Sequence, residues 1–420
     1  MKKMLLLLLL PVIGFIAIAC SDSSDDTVNI TSLILSSDRT YILADGNEMI
    51  NLTVKDNEGN DLTSQCVLKA NDEELPDNTF KTLKAGPYKI VAIFKGIRSN
   101  TLDVIAMSEN VKMKIASDKE SVFADGGDFV CLYLVDEQGS KYTNVDFFAD
   151  GKPLNDSYFS TTIVGEHYIT AKWNGIDVDG EFLITANPAT DAVYEPRMLL
   201  ESITGTDCPY CAATITMLTD NKDGLVHNYS QLVLIEIHGA GSRMWEKYDE
   251  RTQSMVNDFI SYYEASSTPS VYFDRVKERM SLPKIGKDGV LSAVKSKADV
   301  GIAIKNTISK DKKSVNVSAI AATKKAFSGK IIAALVEDGI YMNHVNLGRT
   351  EWFHTMRDYQ PSFEGGKAVP FTPGKLQQAE FTFNFGNAVR EQCSVVVFVV
   401  NENGLVENVR EIPVNTSIGY

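Results

Sequence analysis

The sequence predicts several domains: two β-sandwiches, then an α/β domain, then a C-terminal β-sandwich. In the first half, short alternating strands recur after 80 residues. From residue 197, apolar strands alternate with helical segments, and from residue 298 short strands return without helices. Alternation with Asp-Gly turns is typical of antiparallel sheets, whereas strand–helix alternation favours a parallel one. A chain of 420 residues is too long for one domain.

The N-terminus predicts export. Lys2 and Lys3 precede an apolar run to Ala19 that is too short to span a bilayer comfortably. Residues 17–20 read Ala-Ile-Ala-Cys and resemble the lipobox of bacterial lipoproteins. This resemblance implies a signal peptide over residues 1–19, a lipid on Cys20 and the membrane as a partner; an ordinary secretory signal is the alternative. Residues 20–28 form an acidic tether.

Composition limits the function classes. The formal charge is -14, and loss of Lys2 and Lys3 with the signal makes it -14 - 2 = -16. Because no basic patch stands out, we exclude nucleic acid as a partner, and we expect no cofactor. Apart from Cys20 and the pair at 208 and 211, three cysteines remain: Cys66, Cys131 and Cys393. An odd number in separate segments does not indicate a disulfide scaffold.

Residues 29–107 and 108–187 are predicted to be two repeats of one β-sandwich. Asp45-Gly46 recurs as Asp125-Gly126, and Asp56 recurs as Asp136. Units of this size with alternating strands are similar to the immunoglobulin-like modules found in tandem on bacterial surface proteins. We expect them to act as a stalk.

Residues 188–297 are predicted to be an α/β domain. Strands at 198–203, 231–238 and 271–273 alternate with helices at 212–218, 243–265 and 287–297. This order resembles the thioredoxin fold, with the 243–265 helix as an insertion. Residues 298–420 follow as a C-terminal β-sandwich that a long segment, 341–373, interrupts.

Cys208-Pro209-Tyr210-Cys211 is the strongest chemical motif. Two cysteines separated by two residues at a strand-to-helix turn can close a reversible disulfide, and a helix N-terminus favours the thiolate of Cys208. Cys208 is the candidate nucleophile and Cys211 the resolving thiol. A fixed structural disulfide is the alternative. We predict no metal, because zinc normally needs four ligands and no second Cys or His pair lies nearby.

Other residues are assigned by their place relative to this motif. Thioredoxin-like folds place a cis-proline opposite the cysteine pair, so Thr268 and Pro269 are expected to line a substrate groove with Pro209 and Tyr210. Glu201 is a candidate proton acceptor for Cys211, or an acid with a structural partner.

Three histidines are expected to be structural. His238 ends a predicted strand, and His344 and His354 are expected to pack over the C-terminal sandwich, although their aromatic segment is a candidate ligand site.

Residues 199–211 resemble the Leu-Glu-x-Phe-Thr-Gly-x-x-Cys-x-x-Cys signature of thioredoxin-like outer-membrane lipoproteins of Gram-negative anaerobes. Residues 235–239 and 269–275 resemble later motifs of that family, and the likeness covers roughly 195–415. Ile203 and Ala212 depart from the signature. The resemblance implies a lipid-anchored protein on the periplasmic or exposed face of the outer membrane. Two functions follow: thiol–disulfide exchange on extracytoplasmic protein clients, or non-enzymatic surface binding or adhesion.

Overall fold

The computed structural model describes residues 30–107, 113–142, 145–173, 176–220 and 223–420. The predicted signal peptide over 1–19, Cys20 and the whole of the tether lie outside these residues. Of the described residues, 47% lie in strands and 15% in helices. The residues up to 107 form one compact unit, and those from 113 onward form a second.

The first unit is a two-sheet β-sandwich. One sheet has the order β1-β3-β6, and the other has the order β2-β9-β7-β4-β5 with β8 at an end of β7. Its core contains buried aliphatic side chains that alternate along the strands, such as Ile50, Leu52 and Val54. The strands are β1 Leu33–Ser37, β2 Tyr41–Leu43, β3 Ile50–Asp56, β4 Val67–Ala70, β5 Glu73–Glu74, β6 Thr79–Phe80, β7 Gly86–Phe94, β8 Ile97–Arg98 and β9 Leu102–Met107.

The second unit begins with a sandwich of the same strand order. Its sheets run β10-β12-β13, with β16 beside β12, and β11-β19-β17-β14-β15, with β18 beside β17. This match supports the immunoglobulin-like interpretation of both repeats. The strands are β10 Lys114–Ser117, β11 Ser121–Phe123, β12 Val130–Val135, β13 Lys141–Tyr142, β14 Val145–Ala149, β15 Lys152–Pro153, β16 Tyr158–Phe159, β17 Gly165–Trp173, β18 Ile176–Asp177 and β19 Phe182–Asn187.

The repeated Asp-Gly motif builds the same turn twice. The Asp45 carboxylate accepts hydrogen bonds from two backbone amides, those of Asn47 and Glu48, and Asp125 accepts the two equivalent bonds. The following glycines, Gly46 and Gly126, have φ of 76° and 80°, a conformation that favours glycine. The local sequence therefore fixes this turn, which explains why the motif recurs.

The second sandwich contacts the end of the chain. Asp128 accepts a hydrogen bond from the Tyr420 amide at 2.9 Å, and the Tyr158 and Ser417 hydroxyls lie 2.8 Å apart. The half-buried Cys131 thiol donates to the Ser417 carbonyl at 3.3 Å. These bonds place the second sandwich and the C-terminal strands in one unit.

The remaining elements follow residue 192. They are β20 Met198–Thr204, α1 Ala212–Thr219, α2 Leu225–Asn228, β21 Leu232–His238, α3 Glu250–Tyr263, β22 Ser270–Phe273, α4 Leu282–Ala293, β23 Val300–Ile308, β24 Ser314–Thr323, β25 Phe327–Glu337, β26 Ile340–His344, β27 Gly348–Trp352, β28 Thr355–Gln360, β29 Val369–Phe371, β30 Gln377–Asn384, β31 Cys393–Asn401, β32 Val406–Pro413 and β33 Ser417–Ile418.

The prediction of an α/β thioredoxin-like domain followed by a separate β-sandwich is wrong. The strands β22, β20 and β21 are one end of an eight-stranded sheet that continues β28-β25-β31-β32, with β29 beside β25. The far strand of the expected α/β domain, β21, pairs in parallel with β28 through Glu236 and Thr355. The two segments therefore share one sheet.

A shared core explains this union. Helix α3 packs over strands from both segments, and its Val256 and Phe259 belong to the same apolar cluster as Ile235, Val336 and Phe398. On the opposite face, β25 and β31 pack against a second sheet of order β30-β24-β23-β33. Neither segment could bury its apolar surface alone, so the sheet does not divide at residue 297.

Residues 341–373 are not a structureless loop. They contain all but the first residue of β26. They also contain strand β27, which pairs with β26 as a hairpin, and strands β28 and β29, which join the large sheet. The polarity of β28 concealed it, because Arg357 and Asp358 interrupt the apolar pattern. Arg357 pairs with Glu337 at 3.5 Å, and Asp358 pairs with Arg251 at 2.9 Å.

Candidate functional site

The cysteine pair lies in a tight turn after β20. Cys208 and Cys211 form a disulfide, and their Cα atoms are 5.4 Å apart. Cys208 precedes a short 3-10 turn, Pro209–Cys211, which leads directly into α1. Cys211 is buried and Cys208 is half-buried, whereas Tyr210 between them is 83% exposed. Of the two sulfurs, that of Cys208 is the accessible one.

Thr268 lies beside the accessible sulfur. Its hydroxyl donates to the Cys208 sulfur at 3.2 Å, and the Thr268–Pro269 peptide is cis. Both residues are half-buried and lead into β22, which pairs antiparallel with β20. The structure thus brings Thr268 and Pro269 to the cysteine turn. The substrate groove itself stays a prediction.

A hairpin that sequence reasoning missed covers the other side of this turn. The tip joining β26 to β27 binds the turn backbone at three points: His344 to the Cys208 carbonyl at 3.1 Å, Asn346 to the Pro209 carbonyl at 2.8 Å, and the Val345 amide to the Thr206 carbonyl at 3.0 Å. His344 was expected to pack over the sandwich. It lies instead at the disulfide, and only its place in the aromatic segment hinted at a site.

Hydrogen bonds define the protonation of His344. Its Nδ1 accepts from the amides of Asn346 and Leu347 at 3.1 and 3.2 Å, so Nε2 carries the proton that it donates to Cys208. Burial lowers the pKa of His344, although the bond to Cys208 opposes this. Neutral His344 therefore links the hairpin tip to the disulfide turn.

Glu201 lies on β20 with no exposed surface, and its carboxylate has three donors. Tyr263 and Tyr359 donate their hydroxyls at 2.6 and 2.8 Å, and the Arg275 guanidinium lies at 3.2 Å. Arg275 is only 2% exposed and packs 4.2 Å from the Phe363 ring centroid. Both carboxylate oxygens therefore have structural partners, and a proton-acceptor role for Glu201 stays a prediction.

Hydrogen bonds and an ion pair among polar residues hold the loop before the disulfide in place. The Thr206 amide donates to Ser242 at 3.1 Å, and the Arg243 amide donates to the Thr206 hydroxyl at 2.9 Å. The Arg243 guanidinium pairs with Asp207 at 3.3 Å and donates to the Asn343 carbonyl at 2.8 Å. The loop, the segment after β21 and the hairpin are thereby held together.

The other two histidines named in the sequence analysis are His238, the last residue of β21, and His354, which lies between β27 and β28. His238 is fully buried, and its Nδ1 lies 3.4 Å from the Ser242 hydroxyl. His354 lies near two acids, 3.3 Å from Glu411 and 3.5 Å from Asp338. Among the described residues, no group of three or more His, Cys, Asp or Glu is placed to hold a metal ion.

With this geometry established, the chain can be compared with known proteins. The model of the family Outer membrane protein Omp28 matches residues 256–418, which begin within α3 and follow the cysteine turn. The matching family is an outer-membrane protein family and not a thioredoxin-like one. No curated protein matches the sequence.

Solved structures give weaker likenesses. HBP35 of Porphyromonas gingivalis is 15% identical, with a TM-score of 0.41 over 54% of this chain and 77% of that one. Invasin, a bacterial integrin-binding protein, is 12% identical, with a TM-score of 0.18 over 91% of this chain and 60% of that one. The adhesin InvE of Yersinia pseudotuberculosis is 12% identical, with a TM-score of 0.15 over 38% and 59%. Scores this low do not establish a common fold.

In the part of the chain that the structure describes, none of the helices has the length and apolar character needed to cross a bilayer.

Proposed function

We propose that this protein is an outer-membrane lipoprotein that binds polypeptides through its disulfide face, the surface formed by Pro209, Tyr210, Val345, Asn346 and Leu347. The observation that carries the proposal is the exposure of apolar side chains there. Tyr210 is 83% exposed, Val345 48% and Leu347 39%. Grouped exposed apolar side chains favour an interaction site, and tyrosine is enriched at such sites.

The rigidity of this surface supports the same function. Hydrogen bonds from His344 and Asn346 and the disulfide itself hold the two loops that carry the apolar side chains. A preorganised surface loses less conformational entropy on binding than a mobile one.

Two independent observations support the proposed location of the protein at the outer membrane. The family match to residues 256–418 favours the outer membrane, and residues 17–20 favour lipidation of Cys20. Two or more acyl chains would give stable anchoring. Mass spectrometry of the mature N-terminus should find an acylated Cys20 as the first residue. An unmodified Cys20 or another cleavage site would refute the anchor but not the binding surface.

Binding can be tested by panning the full chain against a displayed library of random peptides. We expect enrichment of peptides with aromatic and aliphatic side chains. Changing Tyr210, Val345 and Leu347 to serine together should reduce retention at least tenfold. A matched control changes Ile163 and Val164, which are 68% and 56% exposed on the second sandwich, to serine. Equal loss in both variants, or no enrichment, would refute the disulfide face.

Thiol–disulfide exchange is the second candidate, and the position of the Cys208 sulfur favours it. A client thiolate would attack this sulfur and form a mixed disulfide, and Cys211 would leave as a thiolate. The second client thiol would then displace Cys208, so the client is oxidised and the cysteine pair reduced. The hydroxyl of Thr268 at 3.2 Å is placed to stabilise negative charge on Cys208.

The reduction potential of the pair tests this candidate. Equilibration of the full chain with glutathione buffers should give about -120 to -270 mV if the pair exchanges, and below about -300 mV if the disulfide is structural. In the reverse direction, the reduced Cys208 thiolate attacks a client disulfide, so the Cys211→Ser variant should trap mixed disulfides with oxidised clients, and Cys208→Ser should not. Peptide binding by the oxidised protein does not depend on either result, so the two functions fail separately.

A further inference from the structure

Five polar side chains with unpartnered atoms lie together at the carboxyl ends of β20 and β21 and the start of β28. We call them the buried polar cluster: Ser202, Thr204, Glu236, His238 and Thr355. Each is at most 1% exposed. The three hydroxyls, both Glu236 oxygens and His238 Nε2 have no hydrogen-bond partner among the described residues.

Strand register places the five side chains on one face of the sheet. Ser202 is opposite Glu236, Thr204 is opposite His238, and Glu236 is opposite Thr355. Residues two apart on a strand share a face, so the rows are adjacent. Toward the amino ends of β20 and β21, the same face carries Leu200 and Leu234, which pack in a core that includes residues of α1 and α4. The cluster is therefore a local polar region in an otherwise apolar layer.

This arrangement is energetically costly unless a bound ligand supplies hydrogen-bond partners for the buried polar atoms. An unpaired buried donor or acceptor costs about 1–3 kcal/mol, and native buried polar groups are almost always paired. A buried water satisfies about three such groups at once. Because the described residues offer no metal-binding group here, water is the ligand whose chemistry fits both the hydroxyls and the carboxyl.

A line of polar atoms leads from the cluster to the surface. His238 Nδ1 lies 3.4 Å from the Ser242 hydroxyl, which lies 3.2 Å from the Thr206 hydroxyl. Thr206 donates to Asp207 at 2.8 Å, and the Asp207 side chain is 39% exposed. At the inner end, the Glu236 carboxylate and His238 Nε2 are 3.8 Å apart, too far for a direct hydrogen bond.

We propose that the buried polar cluster binds ordered water molecules, and that one of them completes a proton path from Glu236 to Asp207 beside the disulfide. The proton leaves the Glu236 carboxyl and reaches His238 Nε2 through the water. His238 releases its Nδ1 proton to Ser242, Ser242 passes its own to Thr206, and Thr206 passes its own to the Asp207 carboxylate. Each of the intermediate groups His238, Ser242 and Thr206 gains one proton and gives one up. On this path, Glu236 is therefore the one buried group whose charge changes.

The charges around Glu236 suit this role. Burial raises the pKa of Glu236 to about 8, although the positive charge of His354 opposes the shift. Burial lowers the pKa of His238 to about 3, so this imidazole transmits a proton without retaining it. Burial also opposes charge on His354, but the Glu411, Asp338 and Glu236 carboxylates together outweigh it and raise the pKa of His354 to about 9. Burial also raises the pKa of Tyr248, which lies near Glu236, Glu337 and Arg357. Glu236 can therefore hold a proton near neutral pH.

Infrared spectroscopy of the full chain tests the path. At pH 6 we expect a carboxylic-acid carbonyl band that disappears in Glu236→Gln and moves in Glu236→Asp. On transfer to D2O this band should shift before the backbone amides of β21 exchange. The Ser242→Ala variant should slow that shift at least tenfold. The Ser270→Ala variant is the matched control, because Ser270 is 1% exposed near the same turn but lies outside the path.

The outcomes separate the parts of the proposal. An absent Glu236 band, or a shift equally fast in Ser242→Ala and wild type, would overturn the proton path. A crystal structure that shows the buried polar cluster without ordered water would overturn the water site. If Glu236→Gln fails to fold, the band position in Glu236→Asp still assigns the carboxyl, and the Ser242→Ala comparison needs neither variant.

Discussion

Replacing Arg275 with methionine should strongly destabilise the second unit, because it removes the cation beside a carboxylate that has no exposed surface. Glu201 would keep the hydroxyls of Tyr263 and Tyr359 but lose its charge partner at 3.2 Å. Breaking a buried ion pair by removing one partner costs about 3–5 kcal/mol. Methionine retains part of the packing against the Phe363 ring but loses the hydrogen bond from Arg275 to the Phe363 carbonyl at 2.9 Å, so the loss combines the ion pair with that bond.

Urea unfolding followed by tryptophan fluorescence measures this effect. Trp245 and Trp352 belong to the apolar cluster that surrounds the pair, so their emission reports on this region. With a urea dependence of about 3 kcal/mol per M, a loss of 4 kcal/mol lowers the midpoint by about 1.3 M. The control is Arg251→Met, which removes an ion pair to Asp358 whose arginine is 54% exposed and should cost about 0–1 kcal/mol.

A double-mutant cycle then isolates the pair. Glu201→Gln combined with Arg275→Met should cost about 2 kcal/mol less than the sum of the two single changes, because the double variant leaves no unpaired buried charge. If Arg275→Met shifts the midpoint no more than Arg251→Met does, or if the two costs simply add, the assignment of this pair as a coupled structural element is wrong.

Two further predictions concern the disulfide face. Because the pKa of His344 is lowered in the fold, neutral His344 stabilises the hairpin tip above the ordinary pKa of about 6.5, and this stabilisation decreases as the pH falls below it. The protection factor of the Asn346 amide, which compares its exchange with that of an unstructured amide at the same pH, should therefore fall in acid, and an unchanged protection factor would contradict the role of His344. After reduction, iodoacetamide should modify Cys208 long before Cys131 and Cys393, since burial raises the pKa of both of these thiols to about 12. Comparable modification rates for the three cysteines in peptide mapping would contradict this prediction.

The sequence revealed the features that local chemistry determines. The Asp-Gly turns at Asp45 and Asp125 form because each carboxylate bonds amides within three residues, and such short-range bonds leave a recognisable motif. Thr268 lies beside Cys208 although the two residues are 60 positions apart, and before the structure only the resemblance to thioredoxin-like folds pointed to this contact. The Asp-Gly turns, in contrast, occur in a short, ordered string.

Features that depend on distant pairing were not visible. Strand β21 reads equally well as the edge or the centre of a sheet, because both positions need an apolar run. Its partner β28 carries Arg357 and Asp358, whose charges are paired only in the folded protein. His344 could not be assigned either, since its bond to Cys208 spans 136 positions. Sequence periodicity reports burial but not which strand lies alongside.

The pairing of β21 with β28 also constrains the order in which the chain can fold. Glu236 and Thr355 are 355 - 236 = 119 positions apart, and none of the strands between them closes that side of β21. Until β28 is synthesised, β21 presents an apolar edge with unpaired amides, which is a template for association with other chains. A nascent chain ending near residue 297 would therefore expose this edge, and pairing with β28 in the last third of the polypeptide ends the exposure.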